Sequence, residues 1–432
     1  MYKESTAKIR RMADEIVSQI QLPRIPEKET VLALEEYSDI AVQVNEALAQ
    51  CSAAGGGRVV IPSGRYRCGG SIMMQNFTEL HLSEGCFIKF SPDPALYLPP
   101  VPTRWGGVEV INYSPMIYAN GVTDTALTGR GVISGGRELW GSFKELQGPA
   151  RTRSHSFQEE GIPVEERVLG EGCYMRPSMI QFRCCERVLV EDITCVDAPL
   201  WMLHPLFSSH VTVRRIYMDS MYVCNDGIDV DSCSDVLIEK SHFRNGDDAV
   251  VLKSGRDADG RRVNRPCARI VVRDCVFHDC MHGFAIGSEL SGGAEDIFAY
   301  DIHMEYIWLQ AISFKSCPGR GGVIKNIYVA DIQVDKTDDH LISIVSEYES
   351  SDRLTGDERT LYTNFELLNI HCGYAKNGFI LQGAETAPLE KILIANVTVD
   401  NAPVMCDKNE FTGTLEFRNV FMNGKEIKCS SF

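Results

Sequence analysis

Short runs of alternating apolar and polar residues recur along the chain from about residue 186 onward. Each run covers roughly four positions, and alternation with a period of two predicts a half-buried β-strand. A second apolar strand follows within each interval, as from Ala249 to Leu252, and no helical period separates the two. The runs begin, at intervals of about 25 residues, at these apolar positions: Val188, Val211, Val236, Ile270, Ile297, Ile327, Phe365 and Ile392.

This repeat predicts an all-β fold, namely a single-domain right-handed parallel β-helix. In such a solenoid each coil lays its strands on those of the coil below, ~4.8 Å away. A β-propeller blade needs about 40 residues, and a β-sandwich predicts no fixed repeat. We expect the β-helix to cover residues 46–432, with loop insertions near residues 136–172, 256–266 and 347–360.

The N-terminal segment has a different pattern. Ile9, Met12 and Ile16 fall on one face of a helix, and Ser5 or Thr6 is a suitable N-cap. The open end of a solenoid needs a cover, because its last strands expose unpaired backbone groups. We therefore predict that residues 1–45 form an N-terminal helical cap or leader, with a short capping helix at its start.

The charge of the chain argues against nucleic acid as a partner. The 432 residues include 59 acidic and 43 basic ones, which gives a net charge of −16, and such a surface repels a phosphate backbone.

No stretch of about 18 apolar residues exists, so the sequence predicts no membrane-spanning helix. The first residues lack the apolar core of a secretory signal. Oligomeric state is left open.

The chain contains 16 cysteines at irregular spacings, for example Cys184, Cys185, Cys224 and Cys233. Together with the absence of a secretory signal, this favours free and mostly buried thiols in a reducing compartment. We therefore expect a cytoplasmic protein. No cluster has a spacing typical of a zinc site, and the sequence implies neither a metal nor an organic cofactor.

Three aspartates stand at positions where one coil follows another. Asp226 precedes Asp248 by 22 residues, about one coil, and Asp247 adjoins Asp248. His282 and Lys315 follow at similar offsets on later coils. These side chains should therefore lie on one face of successive coils. The alternative is that the aspartates serve only as turn residues, since Asn-Asp-Gly and Asn-Gly-Asp-Asp are turn sequences.

Three neighbouring carboxylates are unfavourable unless one is protonated or a cation is shared. One protonated acid and one ionised base are what glycoside hydrolysis requires. The acid protonates the leaving oxygen, and the base activates a water molecule. His282 and Lys315 could hold the sugar or its carboxylate.

Four motifs occur in order: Asn225-Asp226-Gly227, Gly246-Asp247-Asp248, His282-Gly283, and Lys315. In these motifs the chain resembles glycoside hydrolase family 28, the polygalacturonases and their relatives, and especially the bacterial exo-acting branch. The resemblance implies that Asp247 is the general acid, although the residues alone leave open which of Asp247 and Asp248 has that role. It further implies that Asp226 and Asp248 position and deprotonate the water, with inversion at the anomeric carbon.

The resemblance also implies that His282 tunes the carboxylates and that Lys315 binds the substrate. Asn225 and His282 are further candidates for substrate binding. The chain departs from the family motifs at Cys224, Met281 and Ser313. Ser313 replaces an arginine, and a serine cannot pair with a uronate carboxylate in a fork as a guanidinium does. Arg320 is a candidate to compensate for this loss; the alternative is that the substrate has a modified, substituted or neutral sugar near a pectic backbone.

The expected substrates are pectin-derived oligosaccharides, such as galacturonides or rhamnogalacturonan fragments, which an intracellular enzyme would meet after polymers are cut outside. The polar insertion at residues 136–172 could close one end of the cleft and give exo action. Two alternatives remain, a polysaccharide lyase and a non-catalytic carbohydrate-binding β-helix. A lyase would need a calcium site, and Asp257-x-Asp259-Gly260 is too short for a calcium loop.

Overall fold

The computed structural model describes residues 2–348 and 356–429. They divide into two compact units, the N-terminal unit (residues 20–229) and the C-terminal unit (residues up to 19 together with those from 230 onward). Part of the insertion expected near residues 347–360 lies outside the described residues. The domain limits expected from the sequence, 1–45 and 46–432, stay a prediction.

The helices are few. Within the described residues the α-helices are α1 (Tyr2–Val17), α2 (Ala41–Ala53), α3 (Arg137–Leu146), α4 (Gly148–Ser156) and α5 (Asp257–Val263), with short 3-10 helices at Pro94–Tyr97 and Val164–Glu166. The predicted short N-terminal helix is therefore present as α1. No helix in the described part of the chain combines the length and apolar character needed to cross a membrane.

The N-terminal unit is built from short strands, most of them parallel. They are β1 (Glu29–Val31), β2 (Gly57–Ile61), β3 (Gly64–Cys68), β4 (Ile72–Met73), β5 (Thr78–Leu82), β6 (Cys86–Phe90), β7 (Val101–Trp105), β8 (Val108–Asn112), β9 (Ile117–Asn120), β10 (Thr123–Gly129), β11 (Val132–Ser134), β12 (Val168–Leu169), β13 (Ile180–Arg183), β14 (Glu186–Glu191), β15 (Thr194–Val196), β16 (Leu203–Leu206), β17 (Ser209–Arg214) and β18 (Tyr217–Ser220). Strands β7, β8 and β12 form a separate small sheet.

The C-terminal unit follows β19 (Ile228–Asp231), where the chain passes from one unit to the other. Many of its strands are long because they continue around the corners of a coil. They are β20 (Ser234–Glu239), β21 (His242–Lys253), β22 (Cys267–Gly287), β23 (Ala294–Ile307), β24 (Ile312–Lys315), β25 (Val323–Val345), β26 (Leu361–Gln382), β27 (Glu390–Asn401), β28 (Val404–Glu410), β29 (Leu415–Met422) and β30 (Lys425–Glu426).

The apolar positions of the sequence repeat stack on one another in parallel register. In the C-terminal unit Val236 pairs with Ile270, Ile270 with Ile297, and Ile297 with Ile327. All four are fully buried, so the column forms the core of the unit. In the N-terminal unit Val188 pairs with Val211 in the same manner. The predicted all-β class and the right-handed parallel β-helix architecture are confirmed.

The coils turn at residues in the left-handed backbone region. The residue directly before each repeat position has a positive φ, for example 58° at Asp235, 57° at Asp296 and 58° at Asn326. Aspartate and asparagine tolerate this conformation better than most residues. Their side chains also join neighbouring coils, since the Asn326 amide donates to Asp296 over 2.8 Å and the Asn364 amide donates to Asn326 over 2.7 Å.

Helix α1 lies across β20, β22, β25 and β26 of the C-terminal unit. Its buried residues Ile9 and Ala13 face the unit, and Arg10 forms ion pairs with Asp301 and Asp331. Helix α2 packs against β2, β4 and β5, which belong to the first coils of the N-terminal unit, through residues that include Val44 and Leu48.

Two of the expected loop insertions contain helices. The region of residues 136–172 contains α3 and α4, and the region of residues 256–266 contains α5. Trp140 of α3 is fully buried, with its ring centroid 5.5 Å from that of Tyr97 and 5.7 Å from that of Tyr113. An apolar anchor of this kind gives the polar insertion a fixed structure, which its composition did not indicate.

Candidate active site

Asp247 and Asp248 lie at a β-bulge in the C-terminal unit. Asn245 of β21 pairs with Cys280 of β22, and Asp248 pairs with His282, so β21 has one residue more than β22 in this interval. The Asn245 amide donates to the backbone carbonyls of Asp247 (3.0 Å) and Asp248 (2.9 Å) and fixes the bulge. Neighbouring residues of a regular strand face opposite sides, whereas a bulge re-aims a side chain.

Asp248 is held by the Lys315 ammonium and lies beside the His282 imidazole. The Lys315 ammonium donates to both of its carboxylate oxygens, over 3.0 and 3.2 Å. His282 Nδ1 lies 2.7 Å from Asp248 Oδ1. Asp248 is only 2% exposed, and burial by itself opposes ionisation, but Lys315 and His282 together hold its pKa well below the usual value. Asp248 is therefore a carboxylate.

The pKa of Asp247 is shifted in the opposite direction to that of Asp248. Burial raises the pKa of its carboxyl, and the negative charge of Asp248 raises it further. Its side chain is half-buried, so it can be reached from outside. Two carboxyl groups that share one site and differ in this way form a pair of one acid and one base.

A second ion pair, Lys253 with Glu289, lies beside these carboxyl groups, and the sequence motifs did not single it out. Lys253 Nζ is 3.3 Å from Glu289 Oε2. Burial opposes ionisation of Glu289, but Lys253, Arg320 and Arg256 lower its pKa to about 2. The positive charge of Lys253 also acts on Asp247 and Asp248, lowering the pKa of each.

Tyr348 is 38% exposed but lies close enough to Lys315 and Asp248 to feel their charges. Burial raises the pKa of its phenol, and the charges of Lys315 and Asp248 also act on it. No local pattern pointed to Lys253 or Tyr348, and Glu289, the last residue of the sequence motif that begins at His282, had no role assigned to it. The stacking of β21 on β22 brings Lys253 and Glu289 together.

Arg320 is 1% exposed. Its guanidinium forms an ion pair with Asp257 and donates to the Ser288 carbonyl over 2.8 Å. Its Nη2 atom is buried and has no hydrogen-bond partner among the described residues. The structure thus places Arg320 within the protein beside Glu289, and its predicted contact with substrate stays a prediction.

Asn225 and Asp226 belong to the N-terminal unit. The Asn225 amide donates to the carbonyls of Ala198 (3.1 Å) and Leu200 (2.9 Å). Its oxygen accepts from the Ser220 hydroxyl over 2.6 Å. These bonds fix the turn that carries Asp226, which is 3% exposed. The association of Asp226 with Asp247 and Asp248 stays a prediction.

Asp247, Asp248 and His282 could in principle group around a metal ion, since one ligand atom from each lies within 4.8 Å of the others. Lys315, however, already brings a positive charge to 3.0 Å from Asp248, and His282 Nδ1 lies 2.7 Å from the same carboxylate. A cation there would be repelled by the ammonium. The donor set therefore suits a hydrogen-bonded acid pair better than a resident metal.

Parallel β coils that hold a carboxyl group of raised pKa beside an ionised carboxylate meet the requirement of a glycoside hydrolase for one acid and one base. The chain belongs to the glycosyl hydrolases family 28, whose family model matches residues 110–416. This confirms the resemblance found in the motifs. Members of this family hydrolyse O-glycosyl bonds with inversion, and the chain is an enzyme of that kind.

The proteins to which the chain is similar include polygalacturonases and exopolygalacturonases. A probable polygalacturonase of Vitis vinifera is 27% identical over 366 residues, which cover 82% of this chain and 68% of that protein. The solved hyperthermoactive exopolygalacturonase from Thermotoga maritima is 34% identical with a TM-score of 0.91, over 96% of each chain. The family 28 exopolygalacturonase of Yersinia enterocolitica shares the fold, with 16% identity and a TM-score of 0.70 over 93% of this chain and 76% of that one.

Proposed function

We propose that the chain is an exo-acting hydrolase that removes sugars from the ends of pectin-derived oligosaccharides, such as galacturonides or rhamnogalacturonan fragments. The observation that carries this proposal is the placing of two adjacent carboxyl groups in different surroundings: Lys315 donates to both oxygens of Asp248, and His282 lies 2.7 Å from it, while Asp247 has the charge of Asp248 beside it. The pKa of Asp247 is accordingly raised and that of Asp248 lowered. An inverting hydrolase needs one group that gives a proton and one that takes a proton in the same step.

In the proposed reaction Asp247 protonates the oxygen of the leaving sugar. Asp248 and Asp226 hold a water molecule and accept its proton as it attacks the anomeric carbon from the opposite side. The ligand atoms of Asp247 and Asp248 lie within 4.8 Å, which is shorter than the separation of about 6.5–9.5 Å usual for a water between two carboxyl groups. Inversion in this proposal therefore rests on membership of the family and not on this spacing, and Asp226 is proposed as the further residue that holds the water.

Lys315 and His282 have two proposed tasks. Together they keep Asp248 ionised, and Lys315 also contacts the substrate, where an ammonium suits a uronate carboxylate. Arg320 and Asn225 remain candidates for substrate contact, although both are deeply buried and hydrogen-bonded within the protein.

Exo action is supported by the 34% identity to an exopolygalacturonase and by the folded insertion that contains α3 and α4.

A cytoplasmic location, which we also propose, is supported by the cysteines, all of which lie among the described residues and carry free thiols. Burial raises the pKa of many of these thiols, for example to about 12 at Cys267, which makes them unreactive.

The test is a product analysis with defined oligogalacturonides and rhamnose-containing fragments. We expect single sugars to be released from one chain end from the first minutes of the reaction. Asp247→Asn should slow this release by roughly 10²–10⁴-fold, whereas the exposed control Asp335→Asn should not. A ladder of mixed oligomers would contradict exo action. An unsaturated product that absorbs in the ultraviolet would identify a lyase, and binding without turnover would identify a carbohydrate-binding protein.

A further inference from the structure

The segment that leads to Asp226 contains a residue in the left-handed backbone region. The Asn225 backbone N–H donates to the Tyr222 carbonyl over 3.1 Å, which closes a four-residue turn. Its third residue, Cys224, has a φ of 59°, and a turn of this kind normally has glycine or asparagine there. Such a conformation persists only where the surrounding structure determines it. The contacts of residues 221–226, the Asp226 turn, therefore decide where the aspartate lies.

A buried arginine holds the middle of the Asp226 turn. The Arg176 guanidinium donates from Nη1 to the carbonyls of Val223 (3.2 Å) and Pro199 (3.0 Å). Arg176 is fully buried, and its Nε and Nη2 atoms have no hydrogen-bond partner among the described residues. Hydrogen bonds from a charged donor are roughly twice as strong as those between neutral groups. The guanidinium thus ties the turn to the segment that precedes β16.

The small sheet of β7, β8 and β12 fixes Arg176 in its place. The Trp105 indole N–H donates to the Arg176 carbonyl over 2.9 Å, and the Asn112 side-chain amide donates to the Met175 carbonyl over 2.9 Å. Trp105 ends β7 and Asn112 ends β8, and both are buried. The small sheet is therefore connected to the Asp226 turn through a single arginine.

The insertion that contains α3 and α4 contacts the start of the same turn. The Tyr222 hydroxyl donates to the Gly141 carbonyl over 3.1 Å. The Arg137 guanidinium donates to the Met221 carbonyl over 3.4 Å and lies 5.1 Å from the centre of the Tyr222 ring, which is within the range of a cation–π contact. Arg137 and Gly141 both belong to α3. The turn is thus held from two sides, by α3 and by the buried guanidinium.

We propose that Arg176 and Tyr222 are positioning residues for Asp226, and that the insertion has a second role besides the proposed closure of the cleft. This inference rests on the proposed function, in which Asp226 holds the attacking water. Neither positioning residue touches the substrate. Both act through the place of the carboxylate, and a displacement of about 1 Å at a reacting group can cost roughly 10²-fold in rate.

A double-mutant cycle with Asp226→Asn tests the inference. Arg176→Met should lower kcat on trigalacturonate by about 10²-fold with KM within about twofold of wild type, because the substrate contacts are unchanged. In the Asp226→Asn background the same substitution should change kcat by less than about threefold, since no carboxylate is left to displace. Arg176→Lys, which keeps a charged donor, should recover most of the lost kcat.

Tyr222→Phe is a milder variant and keeps the cycle decisive if Arg176→Met does not fold. Loss of its single hydrogen bond should lower kcat by about fivefold in the wild-type background and leave kcat unchanged in the Asp226→Asn background. Tyr118→Phe is the matched control, because the buried Tyr118 hydroxyl also donates to one carbonyl, that of Pro102 at 2.6 Å, which lies outside the Asp226 turn. Equal kcat values for these two phenylalanine variants would overturn the role of the insertion.

The cycle separates failure of this inference from failure of the proposed function. A residue that supports only the fold would lower kcat by the same factor in both backgrounds. That result, with Asp226→Asn itself slow, would overturn the inference and leave the proposed function standing. If Asp226→Asn keeps the wild-type kcat, or if wild type cleaves no oligogalacturonide, the proposed function is wrong and this inference fails with it.

Discussion

At the scale of single residues, the chemistry depends on neighbouring charges that give two adjacent aspartates different pKa values. Lys315 and His282 lower the pKa of Asp248, whereas burial and the charge of Asp248 raise the pKa of Asp247. The sequence alone left open which of them is the acid. The choice requires knowledge of which carboxylate Lys315 contacts, and this contact joins residues that are 67 positions apart.

Exchange of Asp247 for asparagine should reduce kcat by roughly 10²–10⁴-fold, the usual contribution of a general acid. The loss should largely vanish on an aryl galacturonide, whose leaving group needs no proton. Asp248→Asn should be slow on both substrates, because the base is missing. Steady-state kinetics on an oligosaccharide and an aryl substrate check this, with thermal melting to show that both variants fold. Equal rescue of both variants would contradict the assigned roles.

Removal of Lys315 should move the pH–rate profile to higher pH. The acidic limb follows Asp248, which must be ionised, and the pKa of Asp248 rises when the ammonium is lost. The alkaline limb follows Asp247, which must keep its proton, and Lys315 lowers the pKa of that carboxyl too. Both limbs of kcat against pH should therefore shift upward in Lys315→Met, while exposed Lys336→Met keeps the wild-type profile. A shift to lower pH would refute this assignment.

At the scale of elements, rows of asparagines at the corners hold successive coils together. The Asn396 amide donates to Asn369 over 2.7 Å, and the Asn419 amide donates to Asn396 over 2.7 Å. The three residues have φ values of 54°, 54° and 55°. The sequence predicted the strands through their apolar alternation, but it gave no sign of these corners, because a single Asn or Asp between strands is common in any loop.

Substitution within this row should separate its two contributions to stability. Asn396→Leu loses two side-chain hydrogen bonds and puts a branched side chain in the left-handed region, which should cost about 2–4 kcal/mol of unfolding free energy. Asn396→Gly keeps the backbone conformation and loses only the hydrogen bonds, so it should cost less. Denaturant unfolding of both variants measures the difference. A glycine variant less stable than the leucine variant would contradict this reasoning.

At the scale of the whole molecule, the repeat predicted the fold because every coil repeats the same apolar column, as at Val236, Ile270 and Ile297. The motifs likewise predicted Asp248, His282 and Lys315 as neighbours. Lys253 and Glu289 escaped prediction because their proximity depends on register across an insertion that contains α5. The helical structure of residues 136–172 escaped it because a single buried Trp140 anchors a polar segment.

The central claim is that the chain cleaves a uronide bond by direct displacement, with Asp247 as the acid. Proton NMR of trigalacturonate during the first turnovers measures this most directly, since it records both the size of the product and the configuration of its new anomeric centre. The account predicts a single sugar whose first-formed anomer is opposite to that of the cleaved bond, and no signal of this kind from Asp247→Asn. A retained anomer, or an unsaturated sugar, would contradict it.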